Sequence, residues 1–457
     1  MKRLRYNHSV VFFNFFLDIK LHKIVIVGGG AGGLELATKL GDSLGKKEKA
    51  EIVLIDAKKT HVWKPLLHEI AAGSLNPDKD QLDYLAQAHW HNFKFRLGKM
   101  DGLDRNKKEI TLEPFLDSDG SEIIPRRIFK YDTLILSIGS TINDFGIKGA
   151  ADHTIALDTL NQAERFHSKL HKAILKAQTQ SKPLIKGQLE VVIVGAGATG
   201  VELAAELHKA TREMAAYGLD NINPDRDIKI HLIEASQKLL PALPERISDS
   251  VRFELEKLNI NLHLGEKVTE VTNLGITTHS GKSILSSLVV WAAGIKAPNF
   301  LKNIAGLETN YINQLKVNSN LQTTKDKNIF AFGDCAECLV RPGSIEFVPP
   351  RAQAAHQQAS LLLKSMKRVV SGKENFLPVY VYKDYGSLVN LGKYSTVGNL
   401  MGSLLGGTMF IEGLLAKIMY LMLYQMHLTA LHGFSSVAFR LLAKIISRQT
   451  EARVKLH

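Results

Sequence analysis

The feature that most constrains this chain is one segment that occurs twice. KIVIVGGGAGGLELATKL, residues 23–40, opens with the β-branched run Ile24 to Val27, which reads as a strand buried on both faces. Gly28, Gly30 and Gly33 follow with G-x-G-x-x-G spacing, Ala31 and Gly32 lying in the same turn, and a helical stretch comes next. Gly28 permits a tight turn, Gly30 lets the backbone approach a pyrophosphate, and Gly33 allows close packing of helix on strand. The free N–H groups at the helix start, with the positive end of its dipole, then face the phosphates. A second strand, EIVLID, ends at Asp56, about twenty residues on, where a carboxylate can bind ribose hydroxyls.

The same order recurs in LEVVIVGAGATGVELAAELHKA, residues 189–210, with Gly195, Gly197 and Gly200. Its second strand, IKIHLIEA, carries Glu234 near its end. An acid there hydrogen-bonds the 2′-hydroxyl of NAD and repels the 2′-phosphate of NADP; no Arg lies between Glu234 and Arg246 to receive that phosphate, so NADH is favoured. Two cradles imply two dinucleotides, and the natural pair is a fixed flavin and a diffusing nicotinamide. Three strand-to-turn segments support FAD in the first cradle and NAD(H) in the second. YDTLILSIGS carries Gly139, VVWAAGIKAP carries Gly294, and NIFAFGDCAE carries Gly333 and Asp334, whose carboxylate could accept hydrogen bonds from a ribityl chain.

From about Lys23 to the C-terminus the chain resembles the two-dinucleotide-domain flavoproteins, and within them the type II, non-proton-pumping NADH:quinone oxidoreductases. HVWKPLLHEIAAGSL, His61 to Leu75 and including Lys64, looks like that family's flavin-contacting stretch. PPRAQAAHQQA matches its A-Q-x-A-x-Q quinone motif, with Ala352, Gln353, His356 and Gln357. On a helix Gln353 and Gln357 share a face with His356 beside it, so amides and an imidazole could meet the two carbonyl oxygens of a quinone. Glu202 resembles the family's acid between the nicotinamide and quinone regions; the plainer account is a carboxylate favoured by the helix dipole. The resemblance implies hydride transfer from NADH to FAD and two electrons onward to a lipid-soluble quinone, without proton pumping. An NADH reductase with a protein acceptor, or a flavoprotein that binds both nucleotides without turnover, are the alternatives.

Disulfide reductases of similar build carry a C-x-x-x-x-C pair just after the first cradle, and here no cysteine stands there. The two cysteines, Cys335 and Cys338, form a C-x-x-C that lacks further zinc ligands and reads as small residues in a packed turn, with no metal expected. The net charge of +13 calls for an anionic partner. No motif with interleaved aromatics suggests nucleic acid. The tail offers a better answer. Residues 418–439 carry no formal charge, and Leu415, Met419, Met422, Leu423 and Met426 gather on one helical face. Further on, Phe434, Val437, Leu441, Leu442 and Ile445 oppose Arg440, Lys444 and Arg448. Such basic amphipathic helices lie in the headgroup layer of an anionic membrane. A peripheral position on the cytoplasmic face of the cell membrane is expected; a homodimer contact is the other use of such a face.

The expected fold class is α/β: two Rossmann-like dinucleotide-binding domains, arranged as in glutathione-reductase-like flavoproteins, plus C-terminal amphipathic membrane-binding helices. Residues 1–20 form a leader, 21–150 and 304–400 a split FAD domain, 151–303 an inserted NADH domain, and 401–457 the membrane helices.

Overall fold

The computed structural model describes residues 21–77, 81–117, 119–392, 394–402, 407–447 and 454. The expected leader lies outside these residues, as do Arg448 and the side chains of Lys444 and Ile445. The first unit begins with β1 (His22–Val27), α1 (Ala31–Leu40), β2 (Ala50–Asp56), α2 (Leu67–Ala72), β3 (Lys94–Leu97) and β4 (Thr133–Leu136). β1 lies between β2 and β4, parallel to both. That position explains its unbroken apolar sequence. Ile24 and Ile26 enter the core shared with α1, while Val25 and Val27 enter the core on the other side of the sheet, so no polar face is left.

The second unit repeats the plan with β5 (Ile155–Ala156), β6 (Glu190–Val194), α3 (Ala198–Ala216), β7 (Lys229–Glu234), β8 (Asn261–Leu264) and β9 (Leu288–Trp291). Its parallel sheet has the order β5-β9-β6-β7-β8. Between the penultimate and last strands of each unit's run, a three-stranded antiparallel meander is inserted: Met100–Asp104, Glu109–Leu112 and Arg127–Lys130 in the first, Val268–Thr272, Gly275–Thr278 and Ser283–Leu285 in the second. The duplication read from the glycines therefore extends to the whole sheet. The chain then returns to the first unit with β10 (Gln322–Thr323) and β11 (Asp326–Ala331), completing the order β10-β11-β4-β1-β2-β3. Thr141–Ile142 pairs with Ile295–Lys296 where the chain crosses between units.

Next come α4 (Ala352–Val370), the antiparallel sheet β12 (Ser387–Asn390), β13 (Thr396–Gly402) and β14 (Gly407–Glu412), and the helices α5 (Leu414–His432) and α6 (Phe434–Ser447). The expected boundary between residues 400 and 401 falls inside β13, because a strand paired on both edges cannot be divided. The uncharged run 418–439 is not one helix either. Gly433, at φ +79°, ends α5 before α6 begins. α5 alone is long and apolar enough to cross a bilayer by length and composition. Its inner side, Leu428 and Leu431, packs into the first unit's core, and Val389 and Val397 of the small sheet pack into the second unit's core. Its outer side leaves Leu414, Leu415, Ile418, Leu421, Met422 and Met426 exposed.

The first cradle separates two kinds of glycine. A Cβ on Gly33 would stand 1.9 Å from the Gly28 carbonyl oxygen, whereas one on Gly30 would meet nothing within 4 Å. Gly33→Ala is therefore expected to lower the stability of the ligand-free protein by about 1–3 kcal/mol through overpacking. Gly30→Ala should leave the ligand-free melting temperature near that of the parent and weaken flavin retention. Equal melting temperatures for the two variants would contradict this division.

Candidate active site

The two cradles agree in detail. Gly28 and Gly195 both have φ +103°, a conformation that side chains resist. Asp56 accepts the Gly29 N–H at 2.6 Å and the Lys58 N–H at 2.8 Å; Glu234 accepts the Ala196 and Ser236 N–H groups, each at 2.8 Å. Each acid thus fixes the middle residue of its own G-x-G turn, a duty the sequence does not announce. Burial pushes the Asp56 carboxyl up, and the backbone donors oppose that. The helix-starting residues Gly30 and Gly197 carry no side-chain cap, and both face open space. The first N–H groups of α1 and α3 therefore lack an intrahelical partner and point at a gap, the arrangement that receives a phosphate. Gly200 repeats Gly33, its Cβ position being 1.9 Å from the Gly195 oxygen.

Around the first cradle, Asp334 accepts the Ser140 hydroxyl at 2.9 Å, and burial raises its carboxyl. Lys64 reaches the Ser140 carbonyl at 3.2 Å and pairs with Asp158 at 2.7 Å. Gly139 has positive φ with open space beside it, and the Gly333 N–H donates to Gln358 at 2.8 Å. Ser140 joins Lys64 to Asp334, and a FAD fits the chemistry of these residues: open helix N–H groups for the pyrophosphate, a ribose-range acid, and a second acid at the turn after β11. Two expected contact residues have packing reasons of their own. A side chain on Gly32 would strike Phe332 and the Ala355 carbonyl, so this glycine lets α1 meet α4. One on Gly294 would strike the Phe145 ring.

α4 divides its polar residues among three neighbours. Ala352 is its first residue, and Arg351 before it offers no side-chain cap. Gln353 accepts the Tyr382 hydroxyl at 2.8 Å. Gln357 is engaged from both ends of its amide, donating to the Lys383 carbonyl at 2.7 Å and accepting the Lys383 N–H at 3.0 Å. The two glutamines do share a face, but that face grips the segment at residues 382–383, and Gln357 has its protein partners already. His356 turns instead toward α1, where its Nδ1 meets Glu35.

Glu202, on α3, is buried. It accepts the Asn390 N–H at 3.0 Å, lies 3.6 Å from His68 Nδ1, and is hydrogen-bonded by Tyr420 of α5. Burial, reinforced by the charges of Glu69 and Glu206, pushes it up to about 8. Burial also holds His68 down to about 4, so the neighbouring imidazole is neutral. A surface carboxylate stabilised by a dipole is excluded by this setting; Glu202 is a proton-carrying group where the second unit, α2 and α5 meet.

Comparison with known proteins agrees with this geometry. The profile of the Pyridine nucleotide-disulphide oxidoreductase family matches residues 22–359. The type II NADH:quinone oxidoreductase of Haemophilus influenzae is 39% identical over 449 residues, covering 96% of this chain and all of that one. This chain belongs to the type II NADH:quinone oxidoreductases. The enzyme of that name from Staphylococcus aureus is 25% identical over 84% of this chain and 91% of its own. The NDH2 of Plasmodium falciparum solved with NADH superposes with a TM-score of 0.78 at 20% identity, over 95% of this chain and 99% of that one, which shows a shared fold.

In this type II NADH:quinone oxidoreductase the expected flavin-contacting stretch meets α5, a contact that sequence reasoning did not foresee. His61 Nδ1 meets the Gly29 carbonyl at 2.9 Å, which only accepts, so Nδ1 carries the proton. Its Nε2 then accepts from His427 Nε2 at 3.0 Å, which leaves His427 Nδ1 buried without a partner among the described residues. The Tyr84 hydroxyl donates to the same Gly29 oxygen at 2.7 Å. Trp63 stacks on His427 at 4.1 Å between centroids. Burial pushes the Cys335 thiol up to about 11 and Cys338 up to about 12, as suits packing residues.

Glu202 makes a pH prediction. Its folded value of about 8 lies above the unfolded carboxylate value of about 4.3, so its neutral form stabilises the fold below the lower value and that stability is lost as pH rises through the upper one. Glu202→Gln stays neutral throughout. Its melting temperature relative to the parent should rise across this window, by the equivalent of a few kcal/mol, and level off above it. A difference that does not change with pH would contradict the buried, protonated state.

Proposed function

We propose that this enzyme holds FAD in the first cradle and NADH in the second, and delivers electrons to a quinone near the start of α4. The observation that supports this most is the matched pair of uncapped helix starts, each with its acid at the turn. Bound FAD would supply the two-electron carrier between nicotinamide and quinone. The protein's own residues bind and orient. Gly28, Gly30, Ala31, Gly33 and Asp56 would hold one dinucleotide; Gly195, Gly197, Gly200 and Glu234 the other. Lys64, Gly139, Gly333, Asp334 and Ala352 would contact the redox end of the flavin. Gln353 keeps its amide N–H₂ without a protein partner among the described residues, which supports a quinone oxygen being met there.

α5 faces two ways. Met426 is 67% exposed while the next residue, His427, is 2% exposed. An apolar outer side together with a net charge of +13 supports peripheral attachment to an anionic bilayer, on its cytoplasmic face, where the quinone dissolves. Because the inner side of α5 covers His61 and Trp63, the tail is also part of the site.

Steady-state loss of NADH absorbance with a short-chain quinone tests the reading. The full chain should turn over. A variant with the exposed Leu414, Leu421 and Met422 replaced by Ser should still be reduced by NADH but lose sedimentation with anionic vesicles and turnover with a membrane-dissolved quinone. A protein reduced by NADH yet not reoxidised by quinone would overturn the acceptor assignment. Glu234→Gln should narrow the preference for NADH over NADPH, and unchanged discrimination would contradict its role at the ribose.

A further inference from the structure

Reduction of a quinone to a quinol by NADH consumes one proton from solvent for each hydride delivered: NADH + H⁺ + quinone → NAD⁺ + quinol. The proton must reach a quinone oxygen inside the protein. His356 is the titratable side chain that the quinone-motif helix α4 presents to this region, and it is a quarter exposed. Its partner is Glu35 of α1, in the helix that begins at the flavin cradle. The Glu35 carboxyl is 3% exposed, with Oε2 on His356 Nδ1 and Oε1 on the Lys39 ammonium. Glu35 is buried in α1, with its sequence neighbours Leu34 and Leu36 fully buried and Lys39 one turn on as its ion-pair partner. A carboxylate in that position is costly unless its partners need it.

We propose that Glu35 is the positioning residue of a Glu35–His356 dyad that delivers this proton. The inference rests on the quinone-reductase reading and deepens it. The carboxylate takes the Nδ1–H, which fixes the tautomer and leaves Nε2 as the end that exchanges. When Nε2 gains a proton from solvent, the ring becomes an imidazolium, and the adjacent negative charge holds it in that state. The Nε2–H bond breaks as the new O–H bond forms on the quinone, leaving neutral His356 still bonded to Glu35. Burial raises the Glu35 carboxyl, but the hydrogen bond and charge of His356, followed by those of Lys39, outweigh it and hold the carboxyl below the ordinary range.

The other groups facing His356 do not do this work. Trp63 stacks on it at 5.8 Å and has no exchangeable acid. His427 of α5, at 5.4 Å between centroids, and His61 are both held neutral by burial, His61 down to about 4. Their Nε2 atoms already bond each other. Glu202, pushed up to about 8 by burial, belongs to a separate cluster with His68 and Tyr420.

Stopped-flow kinetics on the FAD-loaded full chain separate the two half-reactions. With Glu35→Gln, bleaching of the flavin by NADH should proceed as in the parent, and reoxidation by a short-chain quinone should slow by about 10²-fold. The pH at which reoxidation falls off should also move down, since loss of the carboxylate destabilises the imidazolium. Glu35→Asp should restore most of both. His356→Asn should abolish the fall-off attributable to this group, and it decides the matter should Glu35→Gln fail to retain flavin. A merely structural Glu35 would leave the pH midpoint in place. Unchanged reoxidation in Glu35→Gln, an unmoved midpoint, or a fall-off that survives in His356→Asn would each overturn the dyad. Failure of the parent to be reoxidised at all would instead remove the quinone reading beneath it.

Discussion

Backbone N–H groups at a helix start need acceptors, and at two matched glycine turns this protein leaves them open. In α1 and α3 the residue before the helix is a glycine with no side chain to cap it, and the turn behind it is fixed by an acid at the end of the next strand. Asp56 on Gly29 and Glu234 on Ala196 are the same interaction made twice. Each cradle is therefore rigid before any ligand arrives, and each directs unsatisfied donors and a positive dipole end outward. Everything else in the fold either supports these two turns or arranges what lies between them.

The C-terminal elements belong to that arrangement. α5 packs Leu428 and Leu431 into the core of the first unit, sends Tyr420 to Glu202 on the second, and sends His427 to His61. His61 in turn holds the carbonyl of Gly29, the residue whose N–H is held by Asp56. A helix whose outer side is apolar is thereby wired, through two imidazoles, to the backbone of the flavin cradle. Its exposed apolar side and its contacts with Glu202 and His61 are two faces of one element.

The sequence carried the scaffold openly, because glycine spacing, β-branched strands and terminal acids are local signals. Periodicity identified the apolar side of α5 from Leu415, Met422 and Met426, all of which are exposed. It did not find the break at Gly433, since a glycine inside a helical pattern is tolerated until backbone geometry decides. Nor did it find Glu35, or the pairing of His61 with His427. Glu35 lies 321 residues from His356, and His61 lies 366 from His427, so neither pair leaves a local trace. A charged residue on the buried side of α1 was the available clue to Glu35. Gln357 shows what spacing leaves out: it shares a face with Gln353, and the backbone of Lys383 engages its amide.

Anaerobic titration of the purified flavoprotein with NADH bears most directly on the two-cradle account. One equivalent of NADH per chain should bleach one bound flavin completely, and NADPH should do so far less readily. A chain that retains flavin yet keeps its colour under excess NADH would contradict the placement of two dinucleotides within reach of each other.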